Sequence, residues 1–488
     1  MQAAVKFHRA LICSLVASLA LVGNASADLG IGVADDLGFQ ADQSTWFFDS
    51  LGELGMRENR VSVPFDASDP TTIQHQFALD LYVPLATLRG VQVVFSVAPS
   101  KARALTENPS AVRQYADYVA LLARSYPTVK DFIVGNEPNQ PRFFQPQFNS
   151  AGQNVSAGAY YSMLAGAYDA LKAVDPAIRV IGLGLSPRGN DQPGAANNVS
   201  TSPIRFLHGL GKAYRRSGRT KPIMDELAFH PYPDHDRDDL MKGYRWPNAG
   251  IPNLNRIKQA FWDAFHGTAQ ATFGEGRARG SMTFRLDEIG WQVGVTPSVQ
   301  TSYIGQENVQ TTDEAAQARI YAESIRYLAC DASVRSILFF LLRDEADLDR
   351  WQAGLVRVDG SQRASFAAVK ATFAETGGRC SRQMRSWRHA TSVEGARVSF
   401  PKKRVLPARR LTLAMVANAD EDASVDASLY RGKRRVLRQR SSVKAYRSRI
   451  VRFSTRFRPG RYTFRVTLRA ALNPARSKSF SAPLRITR

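Results

Sequence analysis

Beyond residue 27 the chain alternates short apolar runs with longer segments whose apolar residues recur every three or four positions. Apolar runs of roughly four to eight residues between polar turns read as buried strands, and the longer period reads as helices laid on a sheet. The pattern predicts strands over residues 29–33, 59–63, 91–97, 131–134, 180–185, 225–229, 283–286 and 336–341. Between them, residues 111–123, 159–173, 203–214, 257–265 and 314–328 carry helical spacing. Eight strand–helix units over some 350 residues predict an α/β fold, a closed (β/α)8 TIM barrel with long loops.

The rhythm changes at Gly377-Gly378-Arg379-Cys380. Leu411, Leu413 and Met415 alternate with other residues, as do Tyr462, Phe464, Val466 and Leu468 with Thr463, Arg465, Thr467 and Arg469. Period two with one polar face predicts an antiparallel sheet exposed on one side. Turn signals at Pro459-Gly460 and Asn473-Pro474 complete the expectation of a small all-β, immunoglobulin-like sandwich. The domain organisation is then a leader over residues 1–27, a barrel over 28–376 and a sandwich over 380–488.

The leader reads as a secretory signal peptide. Lys6, His8 and Arg9 form its basic start, residues 10–23 its apolar core, and Ala25-Ser26-Ala27 its cleavage site. That core is short of the ~20 residues that span a bilayer, which disfavours an uncleaved anchor. A secreted, extracellular protein is expected, cell-wall associated if its basic end holds it there. Cleavage removes Cys13 and leaves Cys330 and Cys380, which an oxidising compartment favours as a disulfide over two free thiols. Charge is divided unevenly. Residues 380–488 hold 28 Lys and Arg against 5 Asp and Glu, whereas the preceding 379 residues hold 37 against 38. A module at +23 beside a near-neutral body suits an anionic cell-wall polymer, acidic polysaccharide or membrane surface; the competing reading is an Arg-biased solvated surface. No nucleic-acid partner is expected, because no aromatic-basic motif accompanies the charge. Oligomeric state is not legible.

Candidate chemistry lies where strands end. Functional side chains of a (β/α)8 barrel stand at the carboxyl ends of its strands, and Glu137 follows the fourth candidate strand while Glu288 ends the seventh. Two carboxylates at a barrel mouth suit cleavage of a glycosidic acetal, one to protonate the leaving oxygen and one to attack the anomeric carbon. Gly135-Asn136-Glu137-Pro138 and Asp287-Glu288-Ile289-Gly290-Trp291 resemble the two signatures of a large clan of retaining glycoside hydrolases with (β/α)8 barrels, cellulase-like and including families 5 and 39. The resemblance covers residues 28–374. It implies that Glu137 is the acid/base and Glu288 the nucleophile. Arg60 matches the arginine that hydrogen-bonds the nucleophile, and His230 and Tyr232 match the His-x-Tyr segment after strand six. Glu288 is then kept ionised by Arg60 and Tyr232, Glu137 holds its proton, and Asn136 binds the sugar 2-hydroxyl.

Trp291 is expected to contact sugar, and Phe143, Phe144, Phe148 and Trp351 are further candidates for its subsites or for loop anchors. The chain departs from the clan in two places. Its eighth strand lacks the usual platform tryptophan, and its third ends without the frequent histidine. Strand alternation turns Asp287 away from the site. The run 344–349 reads as a solvated loop rim. His230, Asp234, His235 and Asp236 lack regular ligand spacing, so neither a metal nor another cofactor is expected. The expectation is a carbohydrate-active hydrolase that retains anomeric configuration. A non-catalytic carbohydrate-binding or cell-surface protein on the same barrel is the alternative, and transglycosylation a third.

Overall fold

The computed structural model describes residues 28–274 and 280–488, so the signal-peptide expectation lies outside the described residues. Eight strands close into one parallel barrel in sequence order: β1 (Gly30–Ala34), β2 (Glu58–Phe65), β3 (Gln92–Pro99), β4 (Asp131–Val134), β5 (Arg179–Leu185), β6 (Glu226–Phe229), β7 (Phe284–Ile289) and β8 (Val334–Phe339). β1 pairs with β8, Val33 opposite Phe339, which shuts the ring. The fold is thus the (β/α)8 barrel expected of that clan. Helices Ser44–Leu54, Gln76–Leu88, Ala111–Ser125, Ser156–Val174, Pro203–Ser217, Leu254–Phe265, Glu314–Leu328 and Ala364–Thr376 cover its outside. Phe95, Phe132, Val180 and Leu227 face them, each fully buried.

Inside, the lower end of the barrel is polar. Arg285 is fully buried, with its guanidinium 2.8 Å from Glu58, 3.0 Å from Asp131 and 3.2 Å from Glu226. Arg179 and Arg335 join from the rim, so three carboxylates meet three guanidiniums and no charge is buried unpaired. Val94, Ile133, Ile181 and Ala228 form an apolar layer of their own. The chemistry is left to the opposite end.

The remaining strands are β9 (Arg397–Ser399), β10 (Val405–Pro407), β11 (Arg410–Asn418), β12 (Ala423–Arg431), β13 (Arg434–Val443), β14 (Ser448–Arg456), β15 (Gly460–Ala470) and β16 (Ser477–Thr487). They make a β-sandwich of one five-stranded sheet, β10-β16-β15-β12-β13, and one three-stranded sheet, β14-β11-β9. Met415, Phe453, Phe464, Val466 and Leu468 fill the space between them, as the period-two pattern requires. The sandwich sits against the barrel helices: Arg476 reaches Asp263 at 2.9 Å, Arg205 reaches Asp422 at 3.3 Å, and the amide of Trp246 donates to the Tyr446 hydroxyl. Cys330 and Cys380 are joined in a disulfide with Cα atoms 4.7 Å apart. The bridge ties the loop before β8 to the chain leaving the last helix.

Candidate active site

Glu137 stands just beyond β4 in a backbone that few residues adopt. Gly135 has φ +83° and Glu137 itself φ +37°. A Cβ on Gly135 would come within 3.0 Å of Met163 and 3.2 Å of Tyr160, so glycine is required there for space as well as conformation. The strained Glu137 is pinned on both sides: its amide donates to Gly184 O at 2.9 Å and its carbonyl accepts from the Gln140 amide at 2.8 Å. A non-glycine residue held at positive φ costs of order 1 kcal/mol or more, and such strain clusters at functional sites.

The carboxylate of Glu288 is locked from several sides. Arg60 Nη1 lies 2.9 Å from Oε1, and the Tyr232 hydroxyl donates to Oε2 at 2.8 Å. His230 Nδ1 lies 3.4 Å from the same Oε2. Burial and the Glu288 charge hold the Tyr232 phenol well above its ordinary value, so it serves as a donor. Arg60 also donates through Nη2 to Asn136 Oδ1 at 2.7 Å. That bond turns the Asn136 amide nitrogen, which has no hydrogen-bond partner among the described residues, away from the arginine.

His230 is the hub. Its Nδ1 lies 3.1 Å from Glu137 Oε1, and its Nε2 lies 3.1 Å from Asp287 Oδ2. The ring is fully buried. Burial opposes the imidazolium, but the charges of Glu288 and Asp287 and the hydrogen bonds to Asp287 and Glu137 outweigh it, and the pKa is pushed up to about 10. Because one nitrogen touches both glutamates, Glu137 Oε1 and Glu288 Oε2 are separated by at most about 6.5 Å.

The structure corrects the expectation for Asp287. It faces the barrel interior beside Arg60, whose Nε is 3.2 Å away, and is itself fully buried. Strand alternation fails because the pairing of β7 with β8 shifts register between Leu286 and Ile289. Such a bulge lets two consecutive side chains, Asp287 and Glu288, reach the same site. His230 and Arg60 hold the Asp287 carboxyl below its usual range against the effect of its burial. Asp287 thus fixes both cations that hold Glu288, a role that strand periodicity does not reveal.

The aromatic expectations divide. Trp291 is 2% exposed, donates its indole N–H to Asp238 O at 2.9 Å and packs edge-on against Tyr321, so it offers no open face. Phe144 is likewise buried, against Tyr160. Trp351 lies instead against Tyr232, the hydroxyl donor to Glu288, its ring 4.6 Å from Tyr232 and 5.6 Å from Phe340. The loop after β8 therefore delivers a tryptophan where the strand end carries only Phe340. The run 344–349 is not wholly a solvated rim: Asp344 is 5% exposed, paired with Arg363 at 2.5 Å and bonded by the Tyr303 hydroxyl. Asp236 accepts from the Gln292 amide at 2.8 Å.

Beside Arg60 opens a cavity of about 420 Å³, bounded by Asp36, Gln40, Ser62, Phe340 and Arg343. Asp36 follows β1 and accepts from the Ser62 amide at 2.8 Å. Its place at a strand's carboxyl end could have marked it in the sequence. Next to it, buried Asp35 accepts from the amides of Leu37, Leu342 and Arg343, and burial raises its carboxyl to about 6.

Fold and site together define a class: a (β/α)8 barrel with two facing glutamates at the ends of β4 and β7. No family model matches the chain, and no curated protein does. Among solved structures it is similar to a family 39 glycoside hydrolase from Bacteroides cellulosilyticus WH2, at 15% identity and a TM-score of 0.46 over 87% of this chain and 81% of that one. It is similar to a glucosidase from Croceicoccus marinus at 15% identity and 0.47, over 88% and 93% of the chains. An endo-β-1,4-mannanase from Thermotoga petrophila scores 0.44 at 12% identity, over 95% and 99%. At these values none of them carries an activity over, and the chemistry is read from this chain's own side chains.

Proposed function

We propose that this chain is a retaining glycoside hydrolase that cleaves O-glycosidic bonds of a polysaccharide or oligosaccharide by double displacement. The observation that carries the reading is the convergence of Glu137 and Glu288 on His230 Nδ1, within about 6.5 Å of each other. Retaining sites hold their carboxyl groups about 5–5.5 Å apart, whereas inverting sites need ~6.5–9.5 Å to admit a water. The two facing oxygens lie close enough for one anomeric carbon to meet both carboxylates, the arrangement that direct attack needs.

The roles follow from the donors. Glu288 receives Arg60, Tyr232 and His230, whereas Glu137 receives, among the described residues, His230 alone. Glu288, held by three donors, is the nucleophile, and Glu137, on the facing side of His230, is the acid that the leaving oxygen requires. In the first step a Glu288 oxygen bonds to the anomeric carbon, the bond from that carbon to the leaving oxygen breaks, and the Glu137 proton moves to that oxygen. In the second, Glu137 takes a proton from water, the water oxygen bonds to the anomeric carbon, and Glu288 leaves. Two inversions restore the configuration. The amide nitrogen of Asn136 would hold the sugar 2-hydroxyl, and Trp351 would supply the apolar platform under the sugar ring.

The leader and the disulfide together support export. We infer that the enzyme acts outside the cell. The test is turnover by the mature protein against a panel of aryl glycosides and polysaccharides, with Glu288→Ala as control. Release of sugar that the variant lacks supports the reading. Binding to a glycan without any turnover would identify instead a carbohydrate-binding protein on a hydrolase barrel.

A further inference from the structure

The outer face of the five-stranded sheet is an arginine-lined trough. β12 lies between β13 and β15, and its outward residues Asp426, Ser428 and Tyr430 are flanked by Arg440, Arg438 and Arg435 on one side and by Thr467, Arg465 and Thr463 on the other. One row further along, Arg469 stands beside Ser424. Asp426 bonds Arg438 and lies 3.7 Å from Arg440. It is the one carboxylate lining the trough among the described residues; Arg469 acts on it from further away, and Arg435 and Arg465 form no ion pair with an acid there. The depression between these side chains measures about 490 Å³, and its floor is hydroxyl-rich, with Ser428, Thr467, Ser479 and Ser481. Arg465 lies 4.8 Å over the Tyr430 ring, which fixes the plane of its guanidinium while its N–H edges stay open to solvent.

We propose that this trough is a second carbohydrate site, which binds a linear polyuronate chain and holds the enzyme on it. Arginine forks match carboxylates in paired hydrogen bonds, and serine and threonine hydroxyls match sugar hydroxyls. Arg465 and Arg469 stand four residues apart on β15, about 13 Å along the strand. A ligand that engages both must carry repeated charge, as a polymer does. A nucleic acid would need successive aromatic platforms for its bases; Tyr430 is the one outward ring of β12 and its neighbours, and Phe480, which also borders the depression, pairs with Val466 and packs inward against the sandwich core. A membrane would need apolar side chains aimed outward, and this face offers serine, threonine and arginine. The choice of polysaccharide among polyanions rests on the glycosidase reading of the barrel. The trough is independent of it.

The experiment measures binding of the full mature chain, carrying Glu288→Ala so that nothing is consumed, to polygalacturonate by titration calorimetry. The double variant Arg465→Gln, Arg469→Gln should weaken binding at least tenfold. Arg410→Gln with Arg452→Gln removes the same charge from the outer face of the three-stranded sheet and should change affinity less than twofold. In the otherwise wild-type chain both pairs should leave turnover of small aryl glycosides unchanged. Equal weakening by the two pairs would overturn the trough in favour of diffuse charge. So would undiminished binding in the Arg465/Arg469 variant, or tighter binding to single-stranded DNA or anionic vesicles than to polygalacturonate. A barrel without glycosidase activity whose chain still binds polygalacturonate through the trough would refute the catalytic reading alone.

Discussion

Replacing Tyr232 by Phe removes one atom and one hydrogen bond, the 2.8 Å contact from the phenol to Glu288 Oε2. The ring stays, and with it the packing at 4.6 Å on Trp351. Glu288 is only 8% exposed, so water replaces the lost donor poorly. A hydrogen bond to a charged group contributes about 1.5–3 kcal/mol, equivalent to a change of about 10- to 150-fold. The phenol holds the Glu288 carboxylate that must attack, so its loss should lower kcat/KM on an aryl glycoside by that factor at the pH of maximal activity. A decrease of less than about twofold would refute the claim that the phenol positions Glu288. It would leave Tyr232 as a packing residue.

Glu288→Ala should lose turnover and recover part of it with azide, giving a glycosyl azide of inverted configuration, whereas Glu137→Ala should keep activity only on substrates whose leaving groups need no proton; a colorimetric series of leaving groups separates the two. Trp351→Ala should raise KM about 10-fold or more with a smaller change in kcat, because a stacking platform is lost while the carboxylates stay held by Arg60 and His230. The His230 imidazolium is raised from an ordinary 6.5 to about 10, so its ion pairs contribute full stability below pH about 6.5 and lose it as pH rises through 10; chemical unfolding across that range should show a steeper decline in wild type than in His230→Asn. Thiol labelling of the unfolded, unreduced chain without its leader should find no free cysteine, and Cys330→Ser with Cys380→Ser should cost about 4 kcal/mol, the chain entropy of a loop of 50 residues.

The barrel was legible because its strands are short, apolar and regularly spaced. Residues 131–134 and 314–328 coincide with β4 and with helix Glu314–Leu328. Three helices carry a weaker signal. Gln76–Leu88 contains Pro84 and exposes Phe77, Leu81 and Leu88 on its outer side, which blurs the contrast between its faces. Ala364–Thr376 is rich in alanine, and Ser44–Leu54 is short and carries Gly52. At the site, the four motifs at the strand ends place Arg60, Asn136, Glu137, His230, Tyr232 and Glu288 in contact with one another. What escaped the sequence depends on tertiary arrangement. A register shift in β7 turned Asp287 inward, and a loop 11 residues beyond Phe340 brought Trp351 to the site that Trp291 was expected to occupy. Neither a bulge nor the path of a loop leaves a periodic trace. The arginines of β13 and β15 were visible as composition, but pairing register was needed to set them on one face.

The central claim is that Glu288 bonds covalently to the sugar. Incubating the mature protein with a panel of 2-deoxy-2-fluoro glycosides bearing activated leaving groups slows breakdown of the intermediate more than its formation, and peptide mapping by mass spectrometry then locates the adduct. One fluorosugar should accumulate at one equivalent per chain on the peptide carrying Glu288, and Glu288→Ala should carry none. Turnover of a normal glycoside with no adduct from its fluorinated counterpart, or an adduct on any other residue, would contradict the account.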